Sequence, residues 1–515
     1  MNLLMRLPWR FRRRSKKKVA HNLQAPISQL PPEVLSIVFC HLRDSCLDFI
    51  SLNQDRRVSL KYHEPWHWSI VIRVCHKWRV SALNTPVLWS HIILSFFTGG
   101  RWAQEMCRLS KQTPLNIILH NVDPLGHEIM KHFGRCRILS LYQGNWNKVL
   151  PTIDTSHLEY LIISNTPFIF CDGVLHAESL QRLQLHACYV DWKSTLLRRL
   201  THLTLDDIMD GCRLSCSDFV AFLSRIPALE VLHLSGFLKK GKADNIPLSI
   251  DATSRTRLQN LKYLHLSCVV YEMAGFLCRV DLPSSCRMSL RTWDKAERIT
   301  STFSLILSWL AQHFCLPPPI PNGDPFTPQS ALQSLCLHHS APNFKVHGFF
   351  EKLSNRDMLG VPEPVLKFSM AWGVIVNDTI LQPFLSSLPL DRLAYLEVSN
   401  GPDLFISEQI WLTIFGSIRT IERIFLDSDA LPFLQALTPY PTAMRFRRPF
   451  PALSSIAYND SIDFRAILEC LQARSASGLV LQEFLFPGGC SVPAPTREKL
   501  EQVVSHVGFH SRTHI

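Results

Sequence analysis

The chain has none of the short signatures by which sequence alone marks an enzyme site. There is no G-x-G-x-x-G and no P-loop lysine motif, so no nucleotide cradle is expected. G-x-S-x-G, H-E-x-x-H and the kinase series are also missing, which leaves no nucleophile, metal-hydrolase or phosphoryl-transfer site to name. The 16 cysteines include no C-x-x-C pair. The tightest groups, Cys212 with Cys216 and Cys336 with His338 and His339, offer too few ligands at metal spacing for zinc. We therefore expect a non-catalytic protein with no cofactor and no metal. With no secretory signal ahead of them, the cysteines read as reduced, mostly buried thiols in the cytoplasm or nucleus. No apolar run reaches the ~18 to 20 residues that a membrane helix needs. The nearest, Phe303 to Leu316, is interrupted by Gln312 and His313, so no membrane partner is expected.

Charge is sparse, at 19% of residues against 46% hydrophobic, and unevenly placed. Of the formal +12, residues 1–20 carry eight basic and no acidic side chains, leaving 12 − 8 = +4 for the other 495 residues. Arg10, Arg12, Arg13, Arg14, Lys16, Lys17 and Lys18 make residues 1–25 a basic, solvated tail. Such a run suits nuclear import, loose attachment to anionic lipid or a nucleic-acid arm, and we favour nuclear import. The remainder is too nearly neutral to make nucleic acid an expected partner.

Residues 26–94 read as a helical unit. Leu30-Pro31-Pro32-Glu33 opens a helix, with proline where an amide hydrogen is not needed and Glu33 at the positive end of the dipole. That helix is expected to run to about Leu42. Val34, Leu35, Ile37, Val38, Phe39 and Leu42 cover more than one of its faces, leaving an apolar face for a partner. Val71, Cys75, Trp78 and Ala82 predict a second helix over 68–83, stopped by Asn84-Thr85-Pro86. The polar stretch from Arg43 to Pro65 reads as a long connecting loop.

Three pieces of this unit, Leu30-Pro31-Pro32-Glu33-Val34-Leu35-Ser36-Ile37-Val38-Phe39, Val74-Cys75-His76-Lys77-Trp78 and Ala82-Leu83-Asn84-Thr85-Pro86-Val87-Leu88-Trp89, resemble the F-box. More narrowly they are similar to the F-box-like motif of fungal proteins, which has a long insert after its first helix. The resemblance covers about 65 residues. It implies a three-helix motif that binds a Skp-family adaptor, and through it the cullin and RING subunits of an SCF-type ubiquitin ligase. Carried over by position, the implied adaptor-binding residues or their supports are Leu30, Pro31, Pro32, Val34, Leu35, Val38, Leu42, Val74, Cys75, Trp78, Leu88 and Trp89.

After a linker or capping segment at 95–133, a pattern of apolar residues at first, fourth and sixth places recurs through 134–500. The clearest copies are Leu158-Leu161-Ile163, Leu180-Leu183-Leu185, Leu200-Leu203-Leu205, Leu229-Leu232-Leu234, Leu261-Leu264-Leu266, Leu332-Leu335-Leu337 and Leu393-Leu396-Val398. Weaker copies start near Cys136, Ser285, Val365, Ile421, Leu453 and Leu481. The starts advance by 20 to 33 residues, apart from one step of 47 that holds a proline-rich loop near 315–330. Each step allows a strand, a turn and a return helix, as over 217–225 or 411–418. The pattern thus predicts an α/β chain: a helical F-box motif, then an irregular leucine-rich-repeat solenoid of parallel strands with return helices. Residues 501–515 remain as a C-terminal tail.

These parts together describe a substrate-recognition subunit, with the F-box on the adaptor and the solenoid on a protein target. Outward strand positions, Ile162, Gln184, Thr204, His233, His265, Cys336 and Glu397, are the expected target contacts, because the first, fourth and sixth places serve the core. The alternatives are a ligase-independent scaffold or adaptor built from the same repeats, an inhibitor that works without residues 26–94, and a nucleic-acid binder that rests on the basic tail alone.

Overall fold

The computed structural model describes residues 26–510 except 53–66, 95–99, 121–128, 145, 167, 173, 240–254, 294–298, 316–330, 341–342, 354–361, 372–377, 400–405, 428–430, 439, 442–445, 448, 459–463 and 488–491. The basic run of the N-terminal tail and nearly all of the proline-rich loop lie outside the described residues. The chain divides into two compact units, residues 1–212 and 213–515. Each is α/β, built on a mostly parallel sheet.

In the first unit, helix α1 (Pro32–Leu52) and helix α2 (His76–Leu83) precede strand β1 (His91–Leu94), helix α3 (Gly100–Leu109) and strands β2 (Leu115–His120), β3 (Cys136–Tyr142), β4 (Tyr160–Ser164), β5 (Arg182–His186) and β6 (His202–Asp206). All six strands pair in parallel and in chain order. The register stacks Ile92, Ile117, Leu139, Leu161, Leu183 and Leu203 in one row, all at 1% exposure or less. This row is the core the repeating pattern was written for. After β3, β4, β5 and β6 the next residue, Gln143, Asn165, Ala187 and Asp207 respectively, takes a left-handed φ of 46° to 56°. The first three of these donate their N–H groups to Ser164, His186 and Asp206, so the chain leaves its strand without dropping a ladder bond.

The second unit holds helix α4 (Cys216–Leu223) and strands β7 (Val231–Ser235) and β8 (Tyr263–Cys268), then α5 (Val270–Leu277), β9 (Arg287–Trp293) and α6 (Ile299–Cys315). Next come β10 (Ser334–Ser340), β11 (Asn343–Phe349), β12 (Leu366–Ala371), α7 (Asp378–Ser386), β13 (Tyr395–Ser399), α8 (Glu408–Thr413) and β14 (Arg423–Asp427). It closes with α9 (Leu431–Leu437), β15 (Ser455–Tyr458), α10 (Phe464–Ala476), β16 (Leu481–Pro487), α11 (Ala494–Glu501) and β17 (Val504–His510). Ring contacts such as Phe368 on β12 with Phe384 on α7, 4.9 Å between centroids, put the fourth-place residues against the helices. We call this the helix side and the other the outer side.

Every one of the thirteen copies of the pattern forms a strand with buried fourth and sixth places. Several expectations about the rest of the chain fail. First, β10 does not follow β9 in space. β9 pairs with β12, β12 and β10 pair antiparallel with the intervening β11, and β10 pairs with β13, so three strands are inserted in reverse order. With only two residues between β10 and β11 in sequence, an antiparallel pairing is the one open to these two strands. Second, the steps of 20 to 22 residues carry 3₁₀ turns, such as Leu150–Thr152 and Thr195–Arg199, in place of return helices. A five-residue strand rises about 17 Å, and an α-helix climbing ~1.5 Å per residue needs about eleven residues to return that distance, too many for these steps. Third, α1 runs to Leu52 rather than Leu42. No proline or glycine lies between Pro32 and Pro65 to stop it. Fourth, the helix expected over 68–83 is broken, since Cys75 is extended at φ −154° and caps α2 by accepting the Trp78 N–H on Sγ. The segment expected as a linker, 95–133, carries α3 and β2, and that expected as a tail, 501–515, carries all of β17.

Candidate functional site

Helix α1 presents two apolar faces. Leu35, Phe39 and Arg43, four residues apart, form the inward one and are at most 3% exposed. Phe39 packs on Trp78, with ring centroids 5.1 Å apart. The buried Arg43 guanidinium donates to the Val87 carbonyl and pairs with Asp44 at 2.7 Å, tying α1 to the 3₁₀ turn Pro86–Trp89. Beneath that turn, Trp89 donates its indole N–H to the Ala82 carbonyl at 2.7 Å and lies edge-on to Trp68 and Trp102. Trp102 belongs to α3, so the helical segment is anchored on the same unit as the first strands and is not a free-standing hairpin.

The other face of α1 is turned to solvent. Val34, Ile37, Val38 and Leu42 recur at spacings of three, one and four, and Ile37 is 58% exposed. Val74, Val80 and Val87 add further exposed aliphatic side chains from the neighbouring turns. At the start of α1 an open cleft of about 520 Å³ is lined by Pro32, Glu33 and Ser36 from one side and His76, Lys77, Val80, Ser81, Asn84 and Thr85 from the other. A Ser36–Thr85 hydroxyl contact of 2.6 Å crosses its floor. Apolar side chains at this density on a helix that already has a core face are the mark of a covered surface.

The implied adaptor residues separate into three groups. Pro31, Pro32, Val34, Val38, Leu42 and Val74 are exposed, while Leu30, Cys75 and Trp78 are half-buried. Leu35, Leu88 and Trp89 are fully buried and cannot touch a partner; they hold the exposed group in place. Ile37, Val80 and Val87 were not singled out as contacts, although the three-four spacing of apolar residues off the Leu35–Phe39 face was a usable signal for Ile37.

The outer-side positions divide as well. Ile162, Gln184 and Thr204 in the first unit, and His233 and His265 in the second, are half-buried. Gln184 accepts from the Tyr160 hydroxyl, and His265 Nδ1 lies 3.0 Å from the Ser289 hydroxyl. Cys336 and Glu397 are different: they are 5% and 6% exposed, so neither is a target contact. Glu397 accepts from the Tyr395 hydroxyl at 2.9 Å and from the Cys336 thiol. Cys336 sits in an apolar cluster with Phe349, Leu353, Tyr395, Phe425, Ala457 and Leu485. Outward alternation marks a side of the sheet, and only the rest of the chain decides whether that side meets water.

The described residues contain no group of three or more His, Cys, Asp or Glu placed to hold a metal ion. Burial pushes the Cys136, Cys188 and Cys286 thiols up to about 12, which keeps them protonated and unreactive at neutral pH. No helix among the described residues is long and apolar enough to cross a membrane. Comparison with protein-family models and with curated proteins yields no match.

Proposed function

We propose that the chain is the substrate-recognition subunit of an SCF-type ubiquitin ligase, with an F-box on α1, α2 and the following turn and a leucine-rich-repeat solenoid in the strand array. The observation that carries this reading is the solvent-facing aliphatic stripe of α1, Val34, Ile37, Val38 and Leu42, on a helix whose opposite side is already satisfied. Covering such side chains is worth ~1.5–3 kcal/mol each at full burial, before association costs are subtracted. The occupant is a Skp-family adaptor, which brings the cullin and RING subunits. The chain itself does no covalent chemistry. It holds a target protein near activated ubiquitin, and the gain is one of effective concentration. The outer side of β7, β8, β9, β11 and β12 offers that target a partly exposed surface.

The test is co-expression of the full chain with a Skp-family adaptor, followed by size-exclusion chromatography of the captured complex. Native chain should elute with the adaptor at one to one. Val38→Glu/Leu42→Glu should lose it by at least roughly tenfold, since an unpaired charge inside an interface is strongly disfavoured. Its melting temperature should stay put, because both side chains are exposed in the chain alone. A folded native chain that captures no adaptor, or a double variant that captures it normally, overturns the reading and leaves a ligase-independent scaffold.

A further inference from the structure

The antiparallel insertion in the second unit builds a feature that no stretch of sequence shows. On the outer side, β11, β12 and β9 lie next to one another, and their register places Lys345, Ser369 and Arg291 in one row. Neighbouring strands are ~4.8 Å apart, so Lys345 and Arg291 flank Ser369 across about 10 Å. Lys367 stands two residues before Ser369 on β12, roughly 7 Å along the strand, between His347 of β11 and Ser289 of β9. Three cations thus surround two half-buried serine hydroxyls.

The charge of this cradle is not cancelled. Among the described residues, no carboxylate lies within ion-pair distance of Arg291, Lys345 or Lys367. Glu363, just before β12, is engaged by Arg287 at 2.9 Å. Outer-side positions of β7, β8, β9, β11 and β12 carry no acidic side chain at all. His347 senses the same field: burial first, then His338, Lys367 and Lys345, bring it down to about 4.

We propose that this cradle docks an extended acidic segment of a partner protein. Alternate residues of an extended peptide point the same way ~7 Å apart, a spacing commensurate with Lys367 and the Arg291–Lys345 row. Serine hydroxyls between the cations donate to the same oxygens. Unshared cations on a sheet face cost stability through mutual repulsion, and an anionic ligand relieves it. The full positive charge is confined to three strands. The Arg291–Lys345 row passes into Ser267 and Ser235 on one side and His338 and Ser399 on the other. The Lys367 row passes through Ser289 into His265 and His233 on one side, and through His347 and Cys336 to the buried Glu397 on the other. That footprint fits a few peptide residues, whereas a nucleic-acid strand is held by contacts to a longer line of phosphates. If the proposed receptor role holds, this segment is what the target presents; the binding event itself does not depend on it.

The probe is a fluorescein-labelled twelve-residue peptide with glutamate at alternate positions, titrated with the full chain and followed by anisotropy. Saturable binding should weaken markedly between 50 and 500 mM salt, as the Debye length shrinks from roughly 14 to 4 Å. Arg291→Glu/Lys345→Glu should weaken it by about tenfold or more. Arg465→Glu, an exposed cation on α10, should leave it unchanged. Lys345→Gln gives a milder loss and guards against misfolding of the double variant, with circular dichroism as the check. A peptide with one phosphoserine among neutral residues separates a phosphoryl source from carboxylates, and tighter binding lost in the same variants also supports the cradle. Binding indifferent to these substitutions overturns the proposal, as does displacement of the peptide by a much tighter-binding oligothymidylate. Adaptor capture is the discriminating readout: the Arg291 and Lys345 variants should retain it, and Val38→Glu/Leu42→Glu should lose it while binding peptide normally.

Discussion

Within the second unit, two stretches of the same sheet use the same strand pattern and have opposite outer sides. On β7, β8, β9, β12 and β11 that side is polar, basic and open, while on β10 and β13 to β16 it carries a buried cluster that includes Cys336, Tyr395, Phe425, Ala457 and Leu485. Their helix sides are alike: Leu234, Leu266, Leu290, Phe368, Val346, Leu337, Val398 and Leu426 run in register through both stretches and are all buried. The lesson is that the core does not determine the function of the other side. The segment 349–353 contributes Phe349 and Leu353 to the buried cluster on that second stretch.

The largest expected effect comes from opening the covered side. Leu353→Ala should cost about 2–4 kcal/mol in urea unfolding, since it empties a buried site in the cluster. Hydrogen exchange should quicken in β13 to β15 and stay slow in β7 to β9. Uniform loss of protection would mean that the two stretches open as one.

A smaller change targets the anchor of the same segment. The Ser334 hydroxyl accepts the Leu353 N–H at 2.8 Å and donates to the Glu351 carbonyl at 2.7 Å, and Ser334 is fully buried. Ser334→Ala should cost roughly 1–3 kcal/mol by stranding both backbone groups. Ser369→Ala, at a half-buried position on the open stretch, should stay within about 0.5 kcal/mol.

The subtlest test titrates the open stretch. His347 is lowered to about 4 in the folded chain, from an ordinary value of 6.5. On acidification the unfolded chain takes up this proton first, so the contribution of His347 to stability is intact above pH ~6.5 and is lost progressively as pH falls toward about 4. Lys345→Ala/Lys367→Ala should raise the folded value without restoring it, because burial is the largest cause and the two lysines are smaller ones. An NMR titration that finds His347 unmoved would remove the evidence that these cations share one field.

Much of this fold was legible in the sequence because strand and core are local consequences of period. Apolar residues at first, fourth and sixth places leave a strand only one way to bury them, and all thirteen copies took it. The spare face of α1 was legible for the same reason: at ~100° per residue Val34, Ile37 and Val38 fall to one side of the Leu35–Phe39 line, with Leu42 at its edge. Other elements escaped. β11 has a single apolar alternation and no leucine at its start, and β17 reads as polar, with His506 and His510 on a short terminal stretch.

By itself, then, the sequence determined the strands, their helix-side rows and the two-faced first helix, because each follows from side-chain periodicity over a few residues. Only the tertiary structure decided which strands are neighbours, that Leu88 and Trp89 are buried beneath the exposed aliphatic face, that Cys336 and Glu397 are sealed from water, and that Arg291, Lys345 and Lys367 come together on one sheet face. The reason is distance along the chain. Arg291 and Lys367 are 76 residues apart in sequence, and a contact of that separation depends on which strand edge the intervening chain returns to, a choice no local pattern encodes.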